Sequence, residues 1–273
     1  ENRWNDKKKD FSNQVKNEIC QFHKIPEPCK VVLLYGILTA ARCFSETEIE
    51  FLSESPEVSK YASDLISRIY KQKLFATELF SGDNKKTLYQ IKITDKKLCK
   101  EIIESFNRGK YAEYVNLISI NEEITWSFIK GLFLSCGSVS SPETDYHLEF
   151  YFRNRQNALF SQNMLSSLGF NAKILKRRSE YIVYFKDSSL IEDILAGIGA
   201  MKSVLQLMDS KVIKDIRNKI NRQTNCETAN IKKTVSASAQ QIKAITSIYQ
   251  KKGAEFLSDD LRIIADFRLE NPD

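Results

Sequence analysis

The sequence has few of the residues from which metal sites and disulfide frameworks are built. Its 273 residues include two histidines, His23 and His147, and six cysteines, none of them in CxxC spacing. Zinc sites and disulfide-stapled folds depend on such spacings, so we expect neither. The cysteines are expected to be the reduced thiols of a cytoplasmic protein, and no metal or other cofactor is implied.

Long apolar runs and a secretory leader are also missing. The longest apolar stretches, residues 31–38 and 128–134, are much shorter than the roughly 20 residues that cross a bilayer. The charged start ENRWNDKKKDF is followed by no apolar segment of the kind found in a signal peptide. The sequence therefore predicts no membrane partner. Its apolar residues, 42% of the chain, are enough to form a buried core.

Basic charge is concentrated in one segment of the chain. The net charge is +6, but residues 197–251 hold ten Lys and Arg against three Asp and Glu. That segment therefore has a net charge of +7, and the rest of the chain has a net charge of −1. Such a local excess indicates an anionic partner for this segment rather than a generally basic protein.

One order of elements occurs twice, in residues 31–105 and 122–196. Each copy begins with an apolar helix that contains a glycine, in residues 33–43 and 128–138. Each ends with an alternating strand, an Asp at a helix N-cap position (Asp95 or Asp187), and an amphipathic helix. The pattern predicts helix, strand, helix, strand, strand, helix in each copy, and therefore a duplicated α+β fold.

The strands are predicted to have one apolar and one polar face. Leu148, Phe150 and Phe152 alternate with polar residues and would face the helices. The opposite, open face would carry the acids Glu48, Glu50 and Glu149. Residues 82–84 and 177–179 have the composition of hairpin turns.

The basic segment is predicted to be helical with one interruption. Residues 203–221 have helical periodicity, the polar run 221–230 would break the helix, and residues 231–251 would form a second helix that ends at Gly253. The predicted apolar stripe of the first helix is Val204, Leu205, Leu207, Met208, Val212, Ile216 and Ile220. A last helix would begin at Ser258.

Four stretches carry a resemblance to a known family. They are FSNQVKNEIC (11–20), GSVSSPETDYHLEF (137–150), IRNKINR (216–222) and NCETANIKKTV (225–235). The sequence resembles the WhiA family of bacterial sporulation and cell-division regulators. The resemblance implies a LAGLIDADG homing-endonuclease-like domain, followed by helices and a C-terminal helix-turn-helix domain.

The resemblance and the repeat together give a domain plan. We expect an N-terminal helical arm in residues 1–30, the two-repeat LAGLIDADG-like domain in 31–196, and a basic helical linker in 197–252. Residues 253–273 would be the first helix of a truncated helix-turn-helix domain, without the recognition helix. Sequence-specific reading of DNA would then not reside in these residues.

The resemblance also places two positions where the related nucleases hold their metal-binding acids. Aligned on the LAGLIDADG pattern, residues 34–42 and 129–137 put Ala41 and Cys136 there. Neither a methyl group nor a thiol suits a hard divalent cation, so we expect the nuclease chemistry to be lost. Glu143 and Asp145 follow the second helix, but a solvated loop is the better interpretation of their surroundings.

The basic segment supplies the main candidates for DNA contact. At helical spacing Lys211, Lys214, Asn218 and Arg222 share one face. The candidate residues are Lys211, Lys214, Arg217, Lys219, Arg222, Lys232 and Lys233, with Arg177 and Arg178 of the predicted hairpin. The competing interpretation is a merely solvated face, with Asn225 and Glu227 capping the second helix. We expect Cys226 to be structurally buried.

We therefore hypothesise a non-catalytic, nucleoid-associated DNA-binding regulator of cell division, chromosome segregation or sporulation. Its expected partners are double-stranded DNA and, by resemblance, another transcription factor or RNA polymerase, with no small-molecule substrate. One alternative is a protein-interaction platform that uses Glu48, Glu50 and Glu149, with DNA bound only by the missing part of the helix-turn-helix domain. The other is an active metal-dependent endonuclease, against which Ala41 and Cys136 argue.

Overall fold

The computed structural model describes residues 2–21, 25–80 and 87–271 and contains one order of elements twice. The first copy comprises α2 (Glu27–Thr39), β1 (Cys43–Phe44), β2 (Ile49–Ser53), α3 (Pro56–Tyr70), β3 (Thr77–Phe80), β4 (Thr87–Ile93) and α4 (Lys96–Asn107). The second comprises α6 (Glu122–Cys136), β5 (Gly137–Val139), β6 (Leu148–Phe152), α7 (Arg155–Ser167), β7 (Lys173–Arg177), β8 (Glu180–Phe185) and α8 (Ser188–Gly197). The predicted duplicated α+β fold is confirmed, with an extra short strand in each copy.

The remaining helices precede, join and follow the two copies. They are α1 (Asn2–Cys20), α5 (Ala112–Asn116), α9 (Met201–Lys252), a 3-10 turn (Ala254–Phe256) and α10 (Asp259–Glu270). No described helix is both long enough and apolar enough to span a membrane.

Side-chain caps fix the starts of the helices that follow strands. The predicted N-caps Asp95 and Asp187 are confirmed, because Asp95 accepts a hydrogen bond from the backbone N–H of Lys97 and Asp187 accepts one from that of Ser189. Asn154 and Ser55 cap α7 and α3 in the same way. Each cap satisfies a backbone donor that the first helical turn leaves without a partner.

The two sheets have the same strand order and register. The orders are β1-β2-β4-β3 and β5-β6-β8-β7, and every neighbouring pair is antiparallel. Phe51 lies opposite Ile91 in the first sheet, and Phe150 lies opposite Val183 in the second. All four side chains are buried beneath the helices, as the alternation predicts.

The two copies meet where α2 packs against α6 at a pair of glycines. A Cβ on Gly36 would lie 2.4 Å from the carbonyl oxygen of Phe128, and a Cβ on Gly131 would lie 2.1 Å from that of Leu33. The backbones therefore touch at a distance that only glycine permits. The flanking Phe128, Leu132 and Phe133 are fully buried, as expected for core residues.

Contacts divide the chain into two compact units, Glu1–Ser210 and Lys211–Asp273. The first unit holds both copies and α1, whose Phe11, Val15 and Ile19 are buried in the core. The boundaries proposed from the sequence at residues 30, 196 and 252 remain predictions, although α2 already begins at Glu27.

The predicted break at residues 221–230 is wrong, because α9 runs without interruption for 52 residues. The segment contains neither Gly nor Pro, and its polar residues each cost a helix only a few tenths of a kcal/mol. One such residue gains a local partner, since Gln223 Nε2 donates to Glu227 Oε1 at 3.0 Å one turn away. Asn225 and Glu227 consequently cap no helix, and Cys226 is exposed rather than buried.

Two further sequence predictions concern turns and helix ends. Arg178, with φ at +54°, and Ser179 form the predicted hairpin turn between β7 and β8. Gly253, with φ at +81°, follows the last residue of α9, as predicted. The turn predicted at residues 82–84 lies outside the described residues.

The contact between α2 and α6 gives a test of the fold. We expect Gly131→Ala to lower the free energy of unfolding by about 3 kcal/mol, the upper end of overpacking costs, because the new methyl group meets rigid backbone. Urea unfolding followed by circular dichroism measures this loss. Ser127→Ala, at a half-exposed position of the same helix, is the control and should change stability by less than about 0.5 kcal/mol. Equal stability of the two variants would contradict the close contact.

Candidate nucleic-acid interface

The two positions aligned with the nuclease acids line one cleft. Ala41 at the end of α2 and Cys136 at the end of α6 contribute to a cavity of about 440 Å³. Burial raises the pKa of the Cys136 thiol to about 12. The nearby positive charge of Lys16 has the opposite but weaker effect on this pKa. The thiol is therefore neutral at physiological pH and unsuited to hold a hard cation.

The other polar side chains of this cleft are mainly cations and amides. Its polar lining includes Arg42, Arg153, Asn154 and Asn157, with Glu180 as the carboxylate. Asn157 is already engaged, because its Nδ2 donates to the carbonyl oxygen of Thr39 at 2.8 Å. Within the described ranges, no cluster of three or more His, Cys, Asp or Glu side chains could bind a metal ion. The lining does not fit the two-metal chemistry of phosphodiester cleavage.

The prediction of an open acidic face is wrong for Glu50 and Glu149, which are only 9% and 8% exposed. Gln90 Nε2 donates to Glu50 Oε1 at 2.6 Å, and Arg42 Nε lies 3.3 Å from Glu50 Oε2. Gln90 on the neighbouring β4 therefore covers this acid, and Arg42 in the turn before β1 neutralises its charge.

Neighbouring donors also surround the carboxylate of Glu149, whereas Glu48 is only partly covered. His147 Nε2 lies 2.6 Å from Glu149 Oε1, and Tyr151 donates its hydroxyl to the same carboxylate. Glu48 remains half-exposed and forms an ion pair of 2.8 Å with Lys92. The three acids are consequently balanced by nearby donors, and their suggested role in protein contact remains a prediction.

The continuous α9 places the predicted basic residues on one extended face. Lys211, Lys214, Asn218 and Arg222 follow at steps of three and four residues, and the uninterrupted helix carries the same face on to Lys232. At 1.5 Å per residue this face is about 30 Å long. Arg222 and Lys232 are exposed, whereas Lys211 and Lys214 are half-buried and have other interactions.

The other candidate residues lie beside this face or away from it. Lys233 flanks the face, while Arg217 and Lys219 lie about 100° around the helix on either side. Arg177 and Arg178 are exposed at the hairpin of the first unit. The extension of the face past residue 222 was missed in the sequence because a helix break was expected there.

The predicted apolar stripe of α9 is only partly buried. Val204 and Leu207 are at most 3% exposed, but Val212 and Ile216 are more than half exposed. Leu205, Met208 and Ile220 are exposed as well. Only the first turns of α9 therefore pack into the core, and beyond them the helix is amphipathic, with a basic face opposite an exposed apolar one.

The start of α9 is fixed by a residue that sequence reasoning missed. Glu18 of α1 accepts hydrogen bonds from the backbone N–H of Lys202 at 2.7 Å and from that of Ser203 at 3.1 Å, and from the Ser203 hydroxyl at 2.8 Å. A carboxylate at a helix N-terminus satisfies free donors and favours the helix dipole. The two partners are about 184 residues apart in sequence, so no local pattern could have revealed the pair.

The second unit is held by polar contacts between α9 and α10. The Tyr249 hydroxyl donates to Asp266 Oδ1 at 2.8 Å, and Arg268 Nε donates to Gln241 Oε1 at 3.1 Å. Ala265 and Ser238 are buried. Ile263, Ile264 and Phe267 of α10 are about two-thirds exposed.

Comparisons with known proteins agree with this architecture. Residues 125–217 match the family description "WhiA LAGLIDADG-like domain", and residues 220–273 match "WhiA C-terminal HTH domain". The fold is therefore that of a LAGLIDADG-like protein with a C-terminal helix-turn-helix domain.

Relatives with similar sequences give the family. A "Probable cell division protein WhiA" from Clostridium tetani is 33% identical over 96% of this chain and 87% of its own length, and one from Clostridium acetobutylicum is 30% identical over the same shares. The chain belongs to the WhiA family.

Solved structures share the fold. Full-length DUF199/WhiA from Thermotoga maritima aligns with a TM-score of 0.64 and 23% identity, over 95% of this chain and 86% of that one. The isolated N-terminal LAGLIDADG domain of DUF199/WhiA aligns with a TM-score of 0.54 and 19% identity, over 69% of this chain and 92% of that one.

The contact between α1 and α9 can be tested by removing the carboxylate. We expect Glu18→Ala to lower the free energy of unfolding of the first unit by about 2 kcal/mol, because two backbone donors and a hydroxyl lose a charged acceptor. Urea unfolding measures the loss, with Glu101→Ala, an exposed acid of α4, as the control. If Glu18→Ala were no more destabilising than the control, the cap would contribute nothing to stability.

Proposed function

We propose that this protein is a non-catalytic, DNA-binding regulator of bacterial cell division, chromosome segregation or sporulation that acts at the nucleoid. The observation that carries the proposal is the continuous basic face of α9, from Lys211 to Lys232, which runs into residues that match a helix-turn-helix domain. The names of the relatives support the connection with cell division.

The chemistry of the face suits a duplex backbone. Lysine and arginine neutralise phosphates and release condensed counterions, which provides affinity without dependence on sequence. Asn218 and Asn225 lie on the same face and can donate hydrogen bonds to phosphates or base edges. A helical face about 30 Å long can meet several phosphates, because duplex DNA carries about one charge per 1.7 Å of its axis.

Catalysis by the LAGLIDADG-like unit is not part of the proposal. Ala41 and the neutral thiol of Cys136 stand where a nuclease would need carboxylates to hold divalent ions. This chemistry speaks against the endonuclease alternative.

A platform that uses the acidic face is also less favoured. Glu50 and Glu149 are almost fully buried and their carboxylates already contact neighbouring donors, which leaves little of either carboxylate accessible to a basic partner. Contact with a transcription factor or RNA polymerase would need another surface.

The proposal can be tested by changing the charge of α9. Replacing Lys211, Lys214, Arg222 and Lys232, which share the basic face, by Ala should weaken binding to a mixed-sequence duplex about 100-fold near 50 mM salt. The slope of log affinity against log salt should also become less steep by roughly three to four, because each lost phosphate contact contributes about 0.9. Fluorescence anisotropy from about 50 to 200 mM salt measures both quantities.

A matched variant controls for net charge. Replacing Lys96, Lys97, Lys100 and Arg108, which are exposed on or next to α4, by Ala removes the same four charges elsewhere. We expect this variant to retain most of the binding. Equal loss in both variants would indicate only a general charge effect, and no binding by the unchanged chain in low salt would contradict the proposed DNA-binding face.

A further inference from the structure

One cleft of the first unit combines cations with hydroxyl groups. This α3 cleft, of about 540 Å³, lies between the end of β2, the start of α3 and the end of α6, and residues of α1, β4, β5, β6 and β7 complete its walls. The described residues that line it include five serines, the cations Lys16 and Arg177, and the acid Glu54. Sites for small molecules usually have volumes of roughly 300–1,000 Å³, so the cleft can admit a small polar molecule.

The duplication shows that several polar groups of this cleft are not required by the shared fold. The strand registers and the paired helices α2 and α6 define equivalent positions in the two copies. Three polar residues of the cleft have an apolar or thiol residue as their equivalent in the first copy: Ala40 for Ser135, Cys43 for Ser138 and Leu79 for Arg177. Two hydroxyls and a cation of the second copy therefore line this cleft without any structural need shared by both copies.

The other cation comes from α1, outside the duplicated elements. Lys16 is half-buried, and its amine lies 6.0 Å from the centroid of the Phe133 ring. Burial lowers the pKa of this amine, and the nearby charge of Glu54 opposes that effect only in part. A bound anion would therefore stabilise the charged form of Lys16.

Two of the serines have hydroxyls that the fold leaves available. Ser135 at the end of α6 and Ser138 in β5 are half-buried, and their hydroxyls form no hydrogen bond to a residue that the structure describes. By contrast, Ser12 Oγ accepts from the backbone N–H of Val139 at 3.4 Å. Because a hydroxyl can donate one hydrogen bond and accept two, Ser135 and Ser138 can each bind a hydroxyl or phosphate oxygen of a ligand.

Arg177 gives the cleft a group that recognises phosphate by shape as well as charge. It is the last residue of β7 and is exposed, and a guanidinium can bond two oxygens of one phosphate. Glu180, its neighbour across the strands, lines the cleft that contains Ala41 instead. The described side chains of the α3 cleft thus include two cations and one acid.

We propose that the α3 cleft binds a small phosphorylated, hydroxyl-rich molecule of the sugar phosphate class, with its phosphate held by Lys16 and Arg177 and its hydroxyls bonded to Ser135 and Ser138. Glu54 accepts hydrogen bonds from further hydroxyls and disfavours a second phosphate by repulsion. A cleft of this volume does not admit a duplex. The inference does not depend on the proposed DNA binding.

Calorimetric titration of the whole chain with glucose 6-phosphate tests the proposal, with glucose and inorganic phosphate as partial ligands. We expect the sugar phosphate to bind at least tenfold more tightly than either partial ligand. Lys16→Gln and Arg177→Gln should each weaken its binding at least tenfold, because each removes a charged donor to the phosphate. Arg178→Gln is the matched control, since this exposed neighbour lies outside the cleft lining, and should leave the affinity unchanged.

A hydroxyl variant separates recognition of the sugar from recognition of the phosphate. Ser135→Ala should weaken binding of the sugar phosphate severalfold and leave binding of inorganic phosphate unchanged. Absence of sugar phosphate binding up to about 10 mM, or equal weakening by Arg177→Gln and Arg178→Gln, would overturn the proposal. Equal affinities for inorganic phosphate and sugar phosphate would also overturn it, as would displacement of the sugar phosphate by duplex DNA, since this surface would then contact nucleic acid.

Discussion

The backbone contact between Gly36 and Gly131 is the constraint on which the LAGLIDADG-like unit depends. Because neither residue has a side chain, α2 and α6 approach until carbonyl oxygens of one helix meet Cα atoms of the other. Each helix is followed within a few residues by the first strand of its own sheet, so this contact joins the two copies. Ala41, just after α2, and Cys136, at the end of α6, consequently line one cleft.

The acids of the sheets and the basic residues of α9 lie in different surroundings. The acids on the polar sides of the sheets, Glu50 and Glu149, are covered by neighbouring donors. The basic residues lie instead on α9, whose first turns are buried and whose start is capped by Glu18 of α1. Helix α1 therefore serves two purposes, since it buries Phe11, Val15 and Ile19 in the core and caps the helix that carries the basic face.

Much of this architecture could be predicted because it depends on local sequence patterns. Alternation identified the buried strand residues, and Asp95 and Asp187 marked helix starts, because a cap acts on its own first turn. What could not be predicted depends on distant or graded effects. The hydrogen bond between Glu18 and Lys202 joins residues that only the folded chain brings together. The burial of Glu50 depends on Gln90 and Arg42 in the same way. The continuity of α9 results from many small helix propensities, which no single residue reveals.

We propose that α9 and the helix-turn-helix residues, and not the sheets, contact DNA. Amide hydrogen exchange of the whole chain, with and without a mixed-sequence duplex at about 50 mM salt, tests this most directly. We predict that duplex DNA slows amide exchange in peptides from residues 211–252 and leaves the exchange of peptides from β2, β4, β6 and β8 unchanged. Slower exchange in the strands without slower exchange in α9 would contradict this proposal and would indicate that the sheets bind DNA.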